Sequence, residues 1–143
     1  NLKFFPRGFT WDVAMTRGTS LVSLPSVGVL ADLDVQLFFY DGGECVRDLD
    51  QHQTAVKRPR GYSCEELGGV AFCLDGDLDS VQRLSVNEPM FVSPHGTGCS
   101  RYVDVLETPE HYIATWQQSQ QDGAQPLVMN RVPRAEIEDL LKH

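Results

Sequence analysis

The sequence predicts an all-β protein: an antiparallel up-and-down eight-stranded barrel followed by a C-terminal α-helix. Three observations carry that expectation. Leu33, Val35, Leu37 and Phe39 alternate with Asp32, Asp34, Gln36 and Phe38, the period-two pattern of a strand with one face on a core. Runs rich in β-branched and aromatic residues recur between turn signals about eight times from Trp11 onward, a number that suits a closed barrel with no open edge. Behind the last run, Ile137, Leu140 and Leu141 fall at i, i+3 and i+4, with Glu136, Glu138 and Asp139 on the opposite face. The chain has 143 residues and reads as one domain over 1–143, with strands from about residue 9 to 132 and a helix from about 133 to 143.

In chain order, Phe9, Trp11, Val13 and Met15 alternate with Thr10, Asp12 and Ala14, which predicts a half-buried first strand anchored by Trp11. Thr16 to Ser26 reads as a long loop whose Leu21, Val22 and Leu24 must lie on something apolar, the alternative being a short extra strand. Val27 to Asp41 is the clearest strand, long enough to run obliquely round a barrel. Asp41-Gly42-Gly43 reads as a hairpin turn, with Glu44 to about Gln51 returning. Lys57-Arg58-Pro59-Arg60-Gly61 reads as a solvated basic loop in an acidic chain. Gly69 to Leu74 is a short strand, Asp75-Gly76-Asp77 a turn, and Ser80 to Val86 and Pro89 to Ser93 are weaker strands. Three further strands follow: one through Val103 and Val105, one through Tyr112 to Trp116, and one through Leu127 to Pro133, with a turn at Asp122-Gly123 before the last. Pro133 suits a helix start, because its missing N–H would have no helical partner there.

The order Thr108, Tyr112, Ala114, then Arg131-x-Pro133 with Ile137, Leu140 and Leu141 behind it, resembles the C-terminal half of the lipocalins. Gly8-Phe9-Thr10-Trp11 resembles the Gly-x-Trp first strand of that family, here one residue longer. The resemblance implies a small hydrophobic or amphipathic ligand carried or sequestered inside the barrel, lipid binding and transport among the possible roles, and Thr16–Ser26 folded over its mouth. Its candidate lining residues are Leu33, Val35, Leu37, Phe39, Val103, Val105, Tyr112 and Trp116, with Leu21 and Leu24 at the rim. It also implies that Trp11 packs under Arg131, and that the protein is secreted or held in another oxidising compartment.

The formal net charge of −8 argues against nucleic acid or an anionic membrane as the main partner. No apolar run approaches the ~20 residues that span a bilayer. The chain opens Asn1-Leu2-Lys3 rather than with Met, as a processed or excised fragment would. Cys45, Cys64, Cys73 and Cys99 are even in number and form no Cys-x-x-Cys pair; disulfides are the preferred expectation, reduced buried thiols the alternative, and three pairings stay open.

One stretch carries catalytic residue types. In Ser93-Pro94-His95-Gly96-Thr97-Gly98-Cys99-Ser100-Arg101, a Cys behind Gly-x-Gly with His95 four residues away has the parts of a thiolate beside backbone N–H donors. The competing reading is a Gly-rich hairpin. His52, His95, His111 and His143 are too scattered for a zinc site, and Asp75, Asp77 and Asp79 lack the closing Glu of a calcium loop, so no metal or cofactor is expected. A ligand carrier is therefore the expected function, with a barrel enzyme using the His95–Cys99 loop and a β-sandwich protein-interaction module as the alternatives.

Overall fold

The alternation around residues 32–39 does become a strand, but one that starts later and runs further than its pattern suggests. The computed structural model describes residues 10–12, 15–43, 66–96 and 98–143. Among them, β1 is Met15–Ser23, β2 Val35–Gly43, β3 Glu66–Leu74, β4 Gln82–Arg83, β5 Ser100–Glu107, β6 His111–Gln118, β7 Leu127–Pro133 and α1 Arg134–Lys142. All strand pairs are antiparallel, in a four-stranded sheet β1-β2-β3-β4 and a three-stranded sheet β5-β6-β7.

Among the described residues the expected closed eight-stranded barrel is not formed; the strands make two sheets of four and three. The reason lies in β2, which buries both of its faces and leaves no inward face for a lumen. On one face Phe38 pairs with Ala71 and Tyr40 with Gly69, and these positions form a core with Trp11, Leu67 and Val81. The Trp11 indole stacks on Tyr40, ring centroids 5.9 Å apart. It lies so close to β2 that a Cβ on Gly42 would come within 2.5 Å of the indole, so only glycine fits there.

The opposite face meets β5, which crosses β1, β2 and β3 rather than pairing beside one of them. Here the contact is polar. Asp41 is completely buried and accepts two bonds from Arg17 of β1, from Nη2 at 2.7 Å and Nε at 3.2 Å, and one from the Tyr102 N–H of β5 at 2.9 Å. Tyr102 reaches it from a bulge between Arg101 and Asp104, at φ +57, a conformation that costs a non-glycine residue about 1 kcal/mol or more. Its ring lies between the Arg17 and Arg101 guanidiniums, at 4.4 and 4.9 Å. Glu66 ties those two cations together at 2.8 and 2.7 Å. Further along, Ser20 Oγ accepts the Val105 N–H at 3.1 Å and the Tyr112 hydroxyl donates to the Ser23 carbonyl at 3.2 Å.

The elements differ from expectation in four other places. Thr10 to Asp12 is a turn, in which the Thr10 hydroxyl donates to Asp12 Oδ1 at 2.6 Å, and the strand begins at Met15. The segment expected as a loop, Thr16 to Ser26, is therefore mostly β1, with Val22 buried opposite Leu37. Asp41-Gly42-Gly43 is strand and not hairpin turn, because β3 and β1 pair with β2 through Gly43; the expected return at 44–51 and the basic loop lie outside the described residues. Ser80 to Val86 and Pro89 to Ser93 contribute only β4 and a single bridge from Phe91 to Gly68. The turn at Asp122-Gly123, the last strand and the helix follow as expected. α1 packs against β6, β7 and a 3-10 turn at Gly28–Leu30, burying none of its own residues completely.

Burial pushes the Asp41 carboxyl above its ordinary pKa, and the Arg17 bonds and the Tyr102 N–H bring it only part of the way back. A carboxyl held high in this way contributes stability that is complete below its ordinary value and is lost as pH rises through the folded one. Removing the guanidinium raises the folded value further. Arg17→Met is therefore expected to cost about 1 to 2 kcal/mol near pH 7, by leaving the buried carboxyl without its partner, less than for a fully buried pair because the Arg17 side chain is 42% exposed. The deficit should shrink as pH is lowered toward the ordinary carboxylate range, which urea unfolding at about pH 7 and about pH 4 will read. A deficit that does not change with pH would contradict this assignment of the Asp41 charge.

Candidate functional site

Outside the edge of β3 lies a loop whose ends are bonded to the strand and whose apolar side chains are exposed. Past Leu74 the chain turns at Asp75-Gly76 into a 3-10 turn at Leu78–Ser80, capped by Asp77, which accepts the Asp79 N–H at 3.0 Å and the Ser80 hydroxyl at 2.7 Å. The Ser80 hydroxyl and the Asp79 N–H hold the Asp77 carboxyl below its ordinary pKa, so it is charged at neutral pH. β4 then pairs with β3 for two residues, and the chain leaves the ladder.

It leaves under control. The Leu84 and Ser85 N–H groups both donate to the Val70 carbonyl, at 2.9 and 3.2 Å. The Met90 and Phe91 N–H groups donate to the Gly68 carbonyl at 2.9 and 3.0 Å, and the Gly68 N–H returns to Phe91 at 3.1 Å. Both ends of the 84–91 loop are thus fixed to neighbouring carbonyls of one strand. A Cβ on Gly68 would approach the Phe91 side chain to 2.7 Å, so the close docking requires glycine. Phe91 also stacks on Phe39, 6.1 Å between centroids.

Ser85 pins the loop to the core. Its Oγ accepts the Val70 N–H at 3.0 Å and lies 3.2 Å from both the Val70 carbonyl oxygen and the Tyr40 hydroxyl, while its carbonyl accepts the Trp11 indole N–H at 2.8 Å. Beside this knot, Asp12 and Arg83 form an ion pair at 3.2 Å, with both side chains almost wholly removed from solvent. Burial pushes the Tyr40 phenol up to about 12, the neighbouring Asp12 adding to the shift.

What the anchors hold out to solvent is apolar. Leu84, Val86, Met90 and Val92 are 50%, 46%, 51% and 51% exposed, and residues 84–90 line an open depression of about 540 Å³ with Glu88 on it. No protein-family model, curated protein or solved structure matches this chain. What the site can do rests on its own chemistry.

The residues expected to line a ligand cavity lie on both sheets and before β2. Val35, Leu37 and Phe39 share the face of β2 that meets β5, Val35 buried and the other two half-buried, whereas Leu33 lies before the strand and is exposed. Val105, Tyr112 and Trp116 share one face of the second sheet, and Val103 is buried at the β5 bulge. Leu21 lies half-exposed on β1, and Leu24 donates its N–H to the Val35 carbonyl at 2.9 Å. The pairing expected from the family resemblance is not made: Trp11 is buried on Tyr40, while Arg131 is exposed on β7 opposite Ile113.

In the His95–Cys99 stretch the described residues are His95, Gly96, Gly98 and Cys99. The Gly98 N–H donates to the His95 carbonyl and the Ser93 N–H to that of Gly98, both at 3.0 Å, and the Ser93 hydroxyl donates to the Ser119 carbonyl at 2.6 Å. Cys99 is completely buried while His95 is exposed, so the two do not present a thiol and a base to a common substrate. Cys73 is a buried thiol whose pKa is pushed up by burial and then by Asp77 and Asp34; no disulfide forms among the described residues, and Cys45 and Cys64 lie outside them. Among the described residues no group of three His, Cys, Asp or Glu side chains is placed to hold a metal, and no helix is long and apolar enough to cross a membrane.

Since the Tyr40 pKa is raised above its ordinary 10, its contribution to stability is complete below that value and is lost as pH climbs toward about 12. Burial raises the Tyr112 phenol as well, so alkaline titration followed by tyrosinate absorbance should show a late phase in which the Tyr40 phenol ionises at about 12, or when the chain unfolds, and Tyr40→Phe should remove one phenol from it. A late phase of unchanged amplitude in Tyr40→Phe would place the most perturbed phenol elsewhere.

Proposed function

We propose that this domain is a β-sandwich protein-interaction module, which takes an apolar segment of a partner on the 84–92 loop. What supports the reading is one observation: Leu84, Val86, Met90 and Val92 stay about half exposed on a loop whose two ends are bonded to β3 and, through Ser85, to the core. A surface ordered in advance binds without the entropy cost of ordering itself. The depression is open and lined by the loop itself, a shape suited to side chains of a polypeptide rather than to an enclosed small molecule. A ligand carrier of lipocalin type is less favoured, because its mechanism needs a closed lumen and the two sheets form none.

Magnitude limits the affinity. Covering the exposed half of four such side chains contributes on the order of 1 kcal/mol each. That total is short of the ~8 kcal/mol of a micromolar complex, so polar contacts must supply the remainder and the association should be transient.

Random peptides displayed on phage and selected on the wild-type domain should converge on sequences with bulky apolar anchors. Val86→Asp with Met90→Asp, both at exposed positions that leave the core intact, should weaken those peptides at least about tenfold, while unfolding by heat stays within a few degrees of wild type. Peptides that bind the double variant as well as wild type would remove the loop from the account.

A further inference from the structure

The partner's chemistry is written in the charges next to the loop. From Asp75 to Val92 the acids are Asp75, Asp77, Asp79 and Glu88, and the one base is Arg83. All four acids are exposed, whereas the Arg83 side chain is only 9% exposed and is turned onto buried Asp12. The stretch therefore offers carboxylates and apolar side chains outward and keeps its cation inward. β4, lying between the acidic turn and the loop in the chain, is two residues long and carries no apolar side chain.

The two features are set apart by the strand they share. The ends of the loop are bonded to Gly68 and Val70, and the acidic turn begins at Asp75, five residues past Val70 and just beyond the end of β3. At about 3.3 Å per residue the separation is about 17 Å, the reach of about five residues of extended chain.

We propose that the 84–92 loop and the Asp75–Asp79 turn form one docking track for an extended peptide of a partner protein, with apolar anchors in the depression and Lys or Arg about five residues away over the acidic turn. This rests on the interaction reading above and adds the partner's composition and spacing. A base adjacent to the anchors meets Glu88 on the depression itself. The carboxylates supply the polar contacts that the apolar surface lacks, and they repel acidic segments of similar apolar content.

The probes are dye-labelled nonapeptides read by fluorescence anisotropy: one with Leu and Phe at one end and Lys-Arg about five residues on, one with Glu at the basic positions, and one with Ser at the anchors. The basic, apolar peptide should bind best, and raising salt from about 50 to about 300 mM should weaken it. Asp77→Asn with Asp79→Asn keeps a capping oxygen at Asp77 and should weaken it about fivefold. Val86→Asp with Met90→Asp should abolish binding. If the acidic peptide binds equally, or the Asn pair changes nothing while the Asp pair abolishes binding, the charged track is wrong and the apolar site remains. If the Asp pair has no effect, both are wrong. If no peptide binds while neutral phosphatidylcholine vesicles do, and the Asp pair abolishes that, the occupant is a lipid surface and the peptide proposal is overturned.

Discussion

β2 has to be buried on both faces, and the rest of the molecule follows from how each face is satisfied. Neighbouring residues point opposite ways along a strand, so Tyr40 and Asp41 look into different surroundings. Tyr40 faces an apolar core closed by Trp11 and meets Ser85 there, which fixes the loop outside β3. Asp41 faces the second sheet and takes the Tyr102 N–H, which fixes where β5 crosses. One strand thus sets both the position of the loop and the relation of the sheets.

The two faces are satisfied by different physics, with different consequences. Apolar burial around Trp11 and Tyr40 is non-directional and contributes most of the stabilisation available to a domain of this size. The Asp41 joint is directional: a buried carboxylate needs donors at defined positions, and Arg17, Tyr102 and the Glu66 bridge supply or support them. Its desolvation offsets much of its attraction, so its value lies in specifying one crossing of β5 over β1, β2 and β3 rather than in net stability. The φ of +57 at Tyr102 belongs to the same requirement, since that backbone twist is what turns its N–H toward Asp41. The second sheet shows a related economy at its edge, where Asn130 Oδ1 accepts the outward Arg131 N–H at 2.9 Å and Pro133 has none to offer.

Several elements were legible in the sequence because a local pattern determined them. The Asp75-Gly76 and Asp122-Gly123 turns, the strands through Val105, Tyr112 and Leu127, and the helix after Pro133 depend on propensity and period, which neighbours did not override. The division into two sheets was not legible, because strand count says nothing of which sheet a strand joins or whether its second face is covered. Leu33-to-Phe39 alternation marks one apolar face of β2, yet Gln36 and Tyr40 on the other face are buried too, through bonds to Gly76 and Ser85 that come from distant parts of the chain. The loop at 84–92 was read as weak strands because Val86, Met90, Phe91 and Val92 have strand propensity. What marks it instead is the break at Asn87-Glu88-Pro89 together with anchors that only the fold brings to β3. Cys99 and His95 lie close in sequence, but burial separates their chemistry.

The central claim is that the 84–92 loop is an ordered surface held by β3 and Ser85, and not a pliable connection that happens to expose apolar side chains. Native-state amide hydrogen exchange measures this directly, because the Leu84, Ser85, Met90 and Phe91 N–H groups each donate to a β3 carbonyl. The account predicts that these four amides exchange with opening free energies close to those of Val70 and Ala71 in the strand itself, and that Ser85→Ala lowers them selectively. Exchange of all four at rates of an unstructured chain, with β3 still protected, would contradict it.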